Sequence, residues 1–155
     1  MASSREVAWR LVNPRYAPGI DGEGARRWGG RWNSPGRPVV YAASSLALAV
    51  LEYFVHVPPA MRRAGRFPEL VAVRLSVAAK GIGDADAEGI LGGGGDAICR
   101  ARGDAWLRDG ATPALRVPSV IVPQESNLLL NPHHPDLDVR TEASEPFRFD
   151  PRLGG

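Results

Sequence analysis

VVYAASSLALAVLEYFVHVPP, residues 39–59, carries the junction on which the fold turns. Its opening, Val39-Val40-Tyr41-Ala42, is rich in β-branched and aromatic side chains and reads as a short strand. Ser44 or Ser45 then suits a helix N-cap, because a serine oxygen can accept one of the unpaired N–H groups of a first turn. Leu46–His56 consists mostly of good helix formers, and Pro58-Pro59 stops it. A strand therefore passes through two serines into an apolar helix.

Working outward, Glu69–Val77 (ELVAVRLSV) places Val71, Val73, Leu75 and Val77 on one face at the period of a strand. Val117–Val122 and Ser126–Leu130 read as two more strands joined by a Pro123-Gln124-Glu125 turn, and Val7–Val12 as a first strand ended by Asn13-Pro14. Phe147–Phe149 suits a last edge strand. Asp96–Arg108 has helical character that Gly103 weakens or splits, while Gly81–Gly95 and NPHHPD (Asn131–Asp136) read as loops. Strands outnumber helices and lack regular helical crossovers. The expected class is α+β, with a bent, mainly antiparallel sheet and flanking helices.

The length of 155 residues suits one domain, spanning residues 1–155. With 44% hydrophobic and 23% charged residues, a chain disordered throughout is excluded. Nineteen basic against seventeen acidic residues leave a net charge of only +2, and basic blocks interleaved with aromatics are missing, so nucleic-acid binding is not favoured. Lys80 is the only lysine; arginine suits fixed bidentate contacts to phosphate or carboxylate, although high-GC coding produces the same bias. Cys99 is the only cysteine, which fits a reducing compartment. MASSREVAWR lacks the apolar core of a signal peptide, and the apolar stretch Leu46–Val57 is too short to span a bilayer and contains Glu52. A cytoplasmic location is expected.

Chemistry concentrates between Gly29 and Glu52. On a helix Glu52 shares its face with Leu48, Ala49, Val55 and His56, so three of its four neighbours are apolar. A carboxylate there must be paired, functional, or on a narrow solvent-facing edge. In the loop Trp28-Gly29-Gly30-Arg31-Trp32-Asn33, two glycines permit close approach of backbone to a ligand, Arg31 can grip phosphate, and the tryptophans offer flat apolar surface. The same loop also reads as a turn with core tryptophans, and it is no Walker loop, since Gly-Lys-Ser/Thr is missing. Tyr41, at the strand-to-helix junction, is either structural or an aromatic wall near the carboxylate. An anion clamp, an aromatic surface and a carboxylate together suit the stabilisation of positive charge at a ribosyl carbon.

Other sets carry less. His133-His134 is a poor metal pair because adjacent side chains diverge. Cys99 reads as a buried thiol, Ser119 lacks the Gly-x-Ser-x-Gly elbow, and Gly92–Gly95 reads as a flexible loop. His56 reads as a helix-end histidine bordering the same face as Glu52.

GEGARRWGGRWNSPGRPVVYAASSLALAVLE (Gly22–Glu52) resembles the signature of the RES domain, and VPSVIVPQESNLLLNPHHP (Val117–Pro135) is similar to that family's second block. The resemblance runs from Trp9-Arg10 to about Phe149. It implies a fold similar to ADP-ribosylating toxins and the activity of an NAD+-consuming toxin from a type II toxin–antitoxin pair. The family's Arg, Tyr and Glu fall on Arg31, Tyr41 and Glu52, expected as catalytic. Arg10, Arg26, Gly29, Gly30 and Ser119 are expected to bind substrate. The resemblance further implies an Xre-like helix-turn-helix antitoxin as partner and NAD+ as substrate, with no metal, prosthetic group, membrane or direct nucleic-acid contact. Arg31 and Arg26 would hold the pyrophosphate, Tyr41 would stack near the nicotinamide, and Glu52 would bind ribose. ADP-ribose would pass to water or phosphate; the alternatives are a specific cellular protein as acceptor, or a non-catalytic binding module.

Overall fold

The computed structural model describes residues 3–90 and 95–155. Strands β1 (Arg5–Val12), β2 (Val40–Ala43), β3 (Leu70–Ala78), β4 (Ile82–Asp84), β5 (Ala114–Pro118), β6 (Ser126–Leu130) and β7 (Val139–Phe147) form one sheet in the order β4-β5-β6-β2-β1-β3-β7. Its helices are α1 (Glu23–Trp28), α2 (Leu46–Phe54), α3 (Pro59–Arg63) and α4 (Gly95–Asp109). The architecture is α+β, and every strand pairing except the parallel β4–β5 contact is antiparallel. No helix among the described residues is long and apolar enough to cross a membrane.

The central junction forms as its residues dictate. Ser45 Oγ accepts the N–H of Leu48 at 3.1 Å and caps α2, while the other serine, Ser44, pairs its N–H with the Ser126 carbonyl at 3.1 Å. Val73, Leu75 and Val77 of β3 pack with Ala8, Val12, Val40, Ala42, Leu128 and Leu130 in one core. On the other side, Trp32, Val39, Cys99, Trp106, Leu107 and Val117 hold α4 against the sheet. Burial of this kind contributes roughly 25 cal/mol per Å² of apolar surface removed from water.

Four local expectations are corrected. The strand expected over Val117–Val122 lies instead at Ala114–Pro118. Pro118 has no N–H for a ladder, and the N–H groups of Ile121 and Val122 turn back onto Ser119 Oγ at 3.2 and 3.0 Å. The last strand runs over Val139–Phe147 rather than Phe147–Phe149; it pairs with β3 alone, and its mostly exposed residues carry no apolar alternation. Phe149 is buried beyond the strand, stacked on Phe67 at 4.9 Å between centroids. Within the expected Gly81–Gly95 loop lies β4, and Gly95 opens α4, whereas residues 92–94 of the tetraglycine lie outside the described residues. Finally, Gly103 does not split α4. It lets the helix sit on the loop before β2: a Cβ at this position would lie 1.7 Å from the Trp32 carbonyl oxygen.

That contact reverses the usual effect of replacing a helical glycine. Gly103→Ala gains up to about 1 kcal/mol in an unpacked helix. Here it is expected to destabilise the protein by at least 1–3 kcal/mol, roughly the cost of overpacking. Urea unfolding measures the sign, and a stabilised variant would show that α4 is not seated on Trp32.

Candidate active site

Strands β1 and β3 pair along the full length of β1, from Arg5↔Ala78 to Val12↔Val71, but β1 and β2 share only Trp9↔Ala43. The sheet therefore opens at its centre. Arg10 reaches into the opening, where its Nη1 donates to the Tyr41 carbonyl at 2.6 Å, an acceptor the ladder leaves free. Its Nε is buried without a partner, and desolvation pushes the guanidinium down to about 10. Beside the opening lies a cleft of about 630 Å³, walled by β1, β2, α2, α4 and the Gly29–Trp32 loop.

Glu52 projects into this cleft from α2. One of its oxygens, Oε1, accepts hydrogen bonds from Ser119 Oγ and Asn127 Nδ2, both at 2.8 Å. Ser119 is fully buried and itself accepts the two N–H groups that curl the chain after β5. Its one hydroxyl proton is thus directed to the carboxylate, and it lies behind Glu52 rather than in the cleft wall. Asn127 stands opposite Ala43 in the β2–β6 ladder, so register delivers its amide to Glu52. The donors fix the carboxylate and leave Oε2 without a hydrogen bond among the described residues.

Tyr41 is held equally firmly. Its Oη donates to Asn33 Oδ1 at 2.6 Å and accepts the Trp32 N–H at 3.0 Å. Burial pushes the phenol's pKa up, so the ring is neutral where it walls the cleft. Gly30 is required by this ring: a Cβ there would lie 2.7 Å from Tyr41 Oη. Gly29, with φ of 72°, ends α1 and returns its N–H to the Ala25 carbonyl at 2.8 Å. Both glycines face the cleft, but their small size serves the loop's own packing. The two tryptophans differ, since Trp32 is 3% exposed and belongs to the core, whereas Trp28 is 84% exposed and outside the cleft wall.

Of the expected cations, Arg31 lines the cleft with Nη1 paired to Asp96 on α4, and Arg10 borders it. Arg26 is not brought there: it pairs with Glu23 one turn away at 2.9 Å. Arg100, Asp96 and Asn127, which the sequence reading did not single out, line the same cleft. Only Asn127 left a local signal, as one of the two polar residues that open a strand otherwise made of leucines. Among the described residues, no group of three or more His, Cys, Asp or Glu side chains is placed to hold a metal. His134 is occupied structurally, with Nε2 on the Gly110 carbonyl at 3.0 Å and Nδ1 accepting the Asp136 N–H at 3.1 Å. Cys99 is buried, and burial pushes its thiol up.

Residues 7–150 match the RES domain. The chain belongs to the RES domain family. It is 38% identical to the "Prs ADP-ribosylating toxin" of Sphingobium sp., with 94% of each chain covered. It is 34% identical to "Toxin Res" of Yersinia enterocolitica, over 95% of this chain and 99% of that one. Matched almost end to end by proteins of that name, it is a RES-type toxin. Its fold is similar to that in the crystal structure of the M. tuberculosis MbcT–MbcA toxin–antitoxin complex, at a TM-score of 0.74 and 20% identity over 97% of this chain and 87% of that one.

In this RES chain, Arg31, Tyr41 and Glu52 thus face one cleft, with Gly29, Gly30 and Arg10 beside them, Ser119 behind and Arg26 outside. The buried phenol has a direct consequence for alkaline stability. Its raised pKa means that the unfolded chain ionises first, so its contribution is intact below about pH 10 and falls as pH rises above that value. Tyr41→Phe loses the two hydrogen bonds and is expected to cost about 1–3 kcal/mol at neutral pH. The stability gap between wild type and variant should then narrow above about pH 10, as measured by urea unfolding across pH. A gap independent of pH would mean that the phenol is not shielded.

Proposed function

We propose that this RES-type toxin cleaves the nicotinamide–ribose bond of NAD+ and passes ADP-ribose to water or phosphate, depleting NAD+. The observation that carries the reading is Glu52 itself, a carboxylate fixed at one oxygen by Ser119 and Asn127 inside a cleft that also holds Tyr41, Arg31 and Arg100. As the C1′–N bond breaks, its electron pair goes to the nicotinamide nitrogen and quenches the pyridinium charge. Positive charge then develops at the ribosyl carbon. A carboxylate held in place beforehand stabilises that charge without reorganising, and Oε2 suits a ribose hydroxyl. The acceptor oxygen bonds to C1′ and releases its proton. Tyr41, neutral and fixed, offers its ring to the nicotinamide; the arginines face the pyrophosphate. NAD+ is the substrate, and the residues described supply the groups this step needs.

A second reading, transfer to a specific cellular protein, is favoured by the name of the Sphingobium relative, an ADP-ribosylating toxin. The bond broken at C1′ is the same, and only the acceptor differs. The toxin's proposed partner is a cognate antitoxin, of the Xre-like kind that the sequence resemblance implies. A toxin–antitoxin complex is also the assembly of the similar solved structure. Its proposed place of action is the cytoplasm, where NAD+ is available.

Nicotinamide release from NAD+ by the purified chain tests the reading. Glu52→Gln keeps the shape and removes the charge, and a fall of about 10²–10³-fold is expected, the usual scale for loss of one electrostatic stabiliser. Equal toxicity of wild type and Glu52→Gln in cells would point instead to a non-catalytic binding module. Asn127→Asp sets a second carboxylate beside the first; the pair resists double ionisation, so the acid limb of the rate profile should move to higher pH. Mass spectrometry of the products with phosphate or lysate present separates ADP-ribose, its 1″-phosphate and modified protein. Growth arrest at unchanged cellular NAD+ would exclude bulk depletion and leave protein transfer.

A further inference from the structure

Arg31 and Arg100 both face the cleft, but they are not equivalent cations. The Nη1 group of Arg31 is already engaged by the Asp96 carboxylate. An anion approaching Arg31 therefore meets a guanidinium that already holds a carboxylate from α4. Arg100 lies four residues further along the same helix, so it sits one turn on and on the same face. It is exposed, lines the cleft, and has no ion-pair partner among the described residues. Arg100 and Tyr41 line the same cleft, so its guanidinium and the aromatic wall face one space. Asp96 and Arg100 make no salt bridge with each other, although four residues apart, because Asp96 is turned to Arg31.

We propose that Arg100 is the principal anion contact of the cleft, the residue that binds the pyrophosphate of a nucleoside diphosphate group. The assignment rests on the reading of the cleft as an NAD+ site and gives its phosphate contact a residue. A guanidinium suits this role because two parallel N–H donors match two phosphate oxygens. Arg31 has one terminal nitrogen committed to Asp96, so its fork is not free to meet a phosphate with both terminal nitrogens while that pair holds. The seating of Gly103 on Trp32 matters here too, since it holds α4, which carries Arg100, down on the loop that walls the cleft.

The test uses the full chain and two probes, NAD+ for turnover and ADP for binding. For Arg100→Gln, the KM for NAD+ and the Kd for ADP should both rise about tenfold or more, roughly the loss of one charge-assisted contact, while kcat stays within about twofold. Arg100→Lys should recover part of both, as charge returns without the planar fork. An unchanged melting temperature is expected, because the side chain is exposed. Unchanged KM and Kd in Arg100→Gln overturn the assignment, as does a fall in kcat with KM unaltered. If the wild type binds ADP yet releases no nicotinamide, the cleavage reading fails, and the ADP arm alone decides Arg100.

Discussion

The Asn33 side chain ties the cleft together. It is fully buried, its Nδ2 donates to the carbonyls of Ala25 and Ser34 at 2.9 and 3.1 Å, and its Oδ1 accepts the Tyr41 hydroxyl. A buried amide left unsatisfied costs on the order of 1–3 kcal/mol per group, so the loop has little freedom once Asn33 is in place. Asp104 on α4 adds two bonds to Ser34, at 2.8 Å to its N–H and 2.6 Å to its hydroxyl. Gly103 beside it lets the helix come down onto the Trp32 carbonyl. Loop, strand and helix therefore lock each other, and Gly29, Gly30 and Arg31 are displayed at the cleft as the result.

The carboxylate is supported by a different device. Glu52 stands on a helix whose cap is a serine, but its orientation comes from β5, β6 and the turn between them. Pro118 ends the ladder, Ser119 gathers the N–H groups of Ile121 and Val122, and the remaining hydroxyl proton points at Oε1. Ser119 relays backbone polarity to Glu52, and Asn127 reinforces it across the β2–β6 pairing. Two fixed donors on one oxygen leave the other to the cleft. The arrangement suits a site that must meet developing positive charge with a carboxylate that does not move.

Charge around the cleft is distributed rather than massed. Arg10 is spent on the gap between β1 and β2, Arg26 on Glu23, and Arg31 on Asp96. The family resemblance implied Arg26 and Arg31 together on the pyrophosphate; of the two, Arg31 lines the cleft and Arg26 does not. Proximity of Arg26 to Arg31 in the sequence says little, because α1 turns Arg26 back along its own axis towards Glu23. Trp28 and Trp32 part in the same way, one outside and one in the core.

The sequence by itself determined the strand–serine–helix junction of residues 39–59, the strands around Val71–Val77 and Ser126–Leu130, and the family, with Arg31, Tyr41 and Glu52 as its polar positions. These are local matters: side-chain periodicity, capping chemistry and a contiguous motif. Which serine caps α2, and that the helix ends at Phe54, came from the structure. Tertiary structure alone decided that β7 is a long polar edge strand, since a strand paired on one side has no need of apolar alternation. It alone brought Asn127 and Arg100 to the cleft and set Ser119 behind Glu52, because these arrive through register and helix seating across 75, 59 and 67 positions of chain from Glu52, Tyr41 and Glu52 respectively. And it decided the meaning of Gly103, where a residue that weakens a helix in isolation is the one that lets this helix dock. Propensity acts within a few residues, whereas excluded volume acts between whatever the fold brings together.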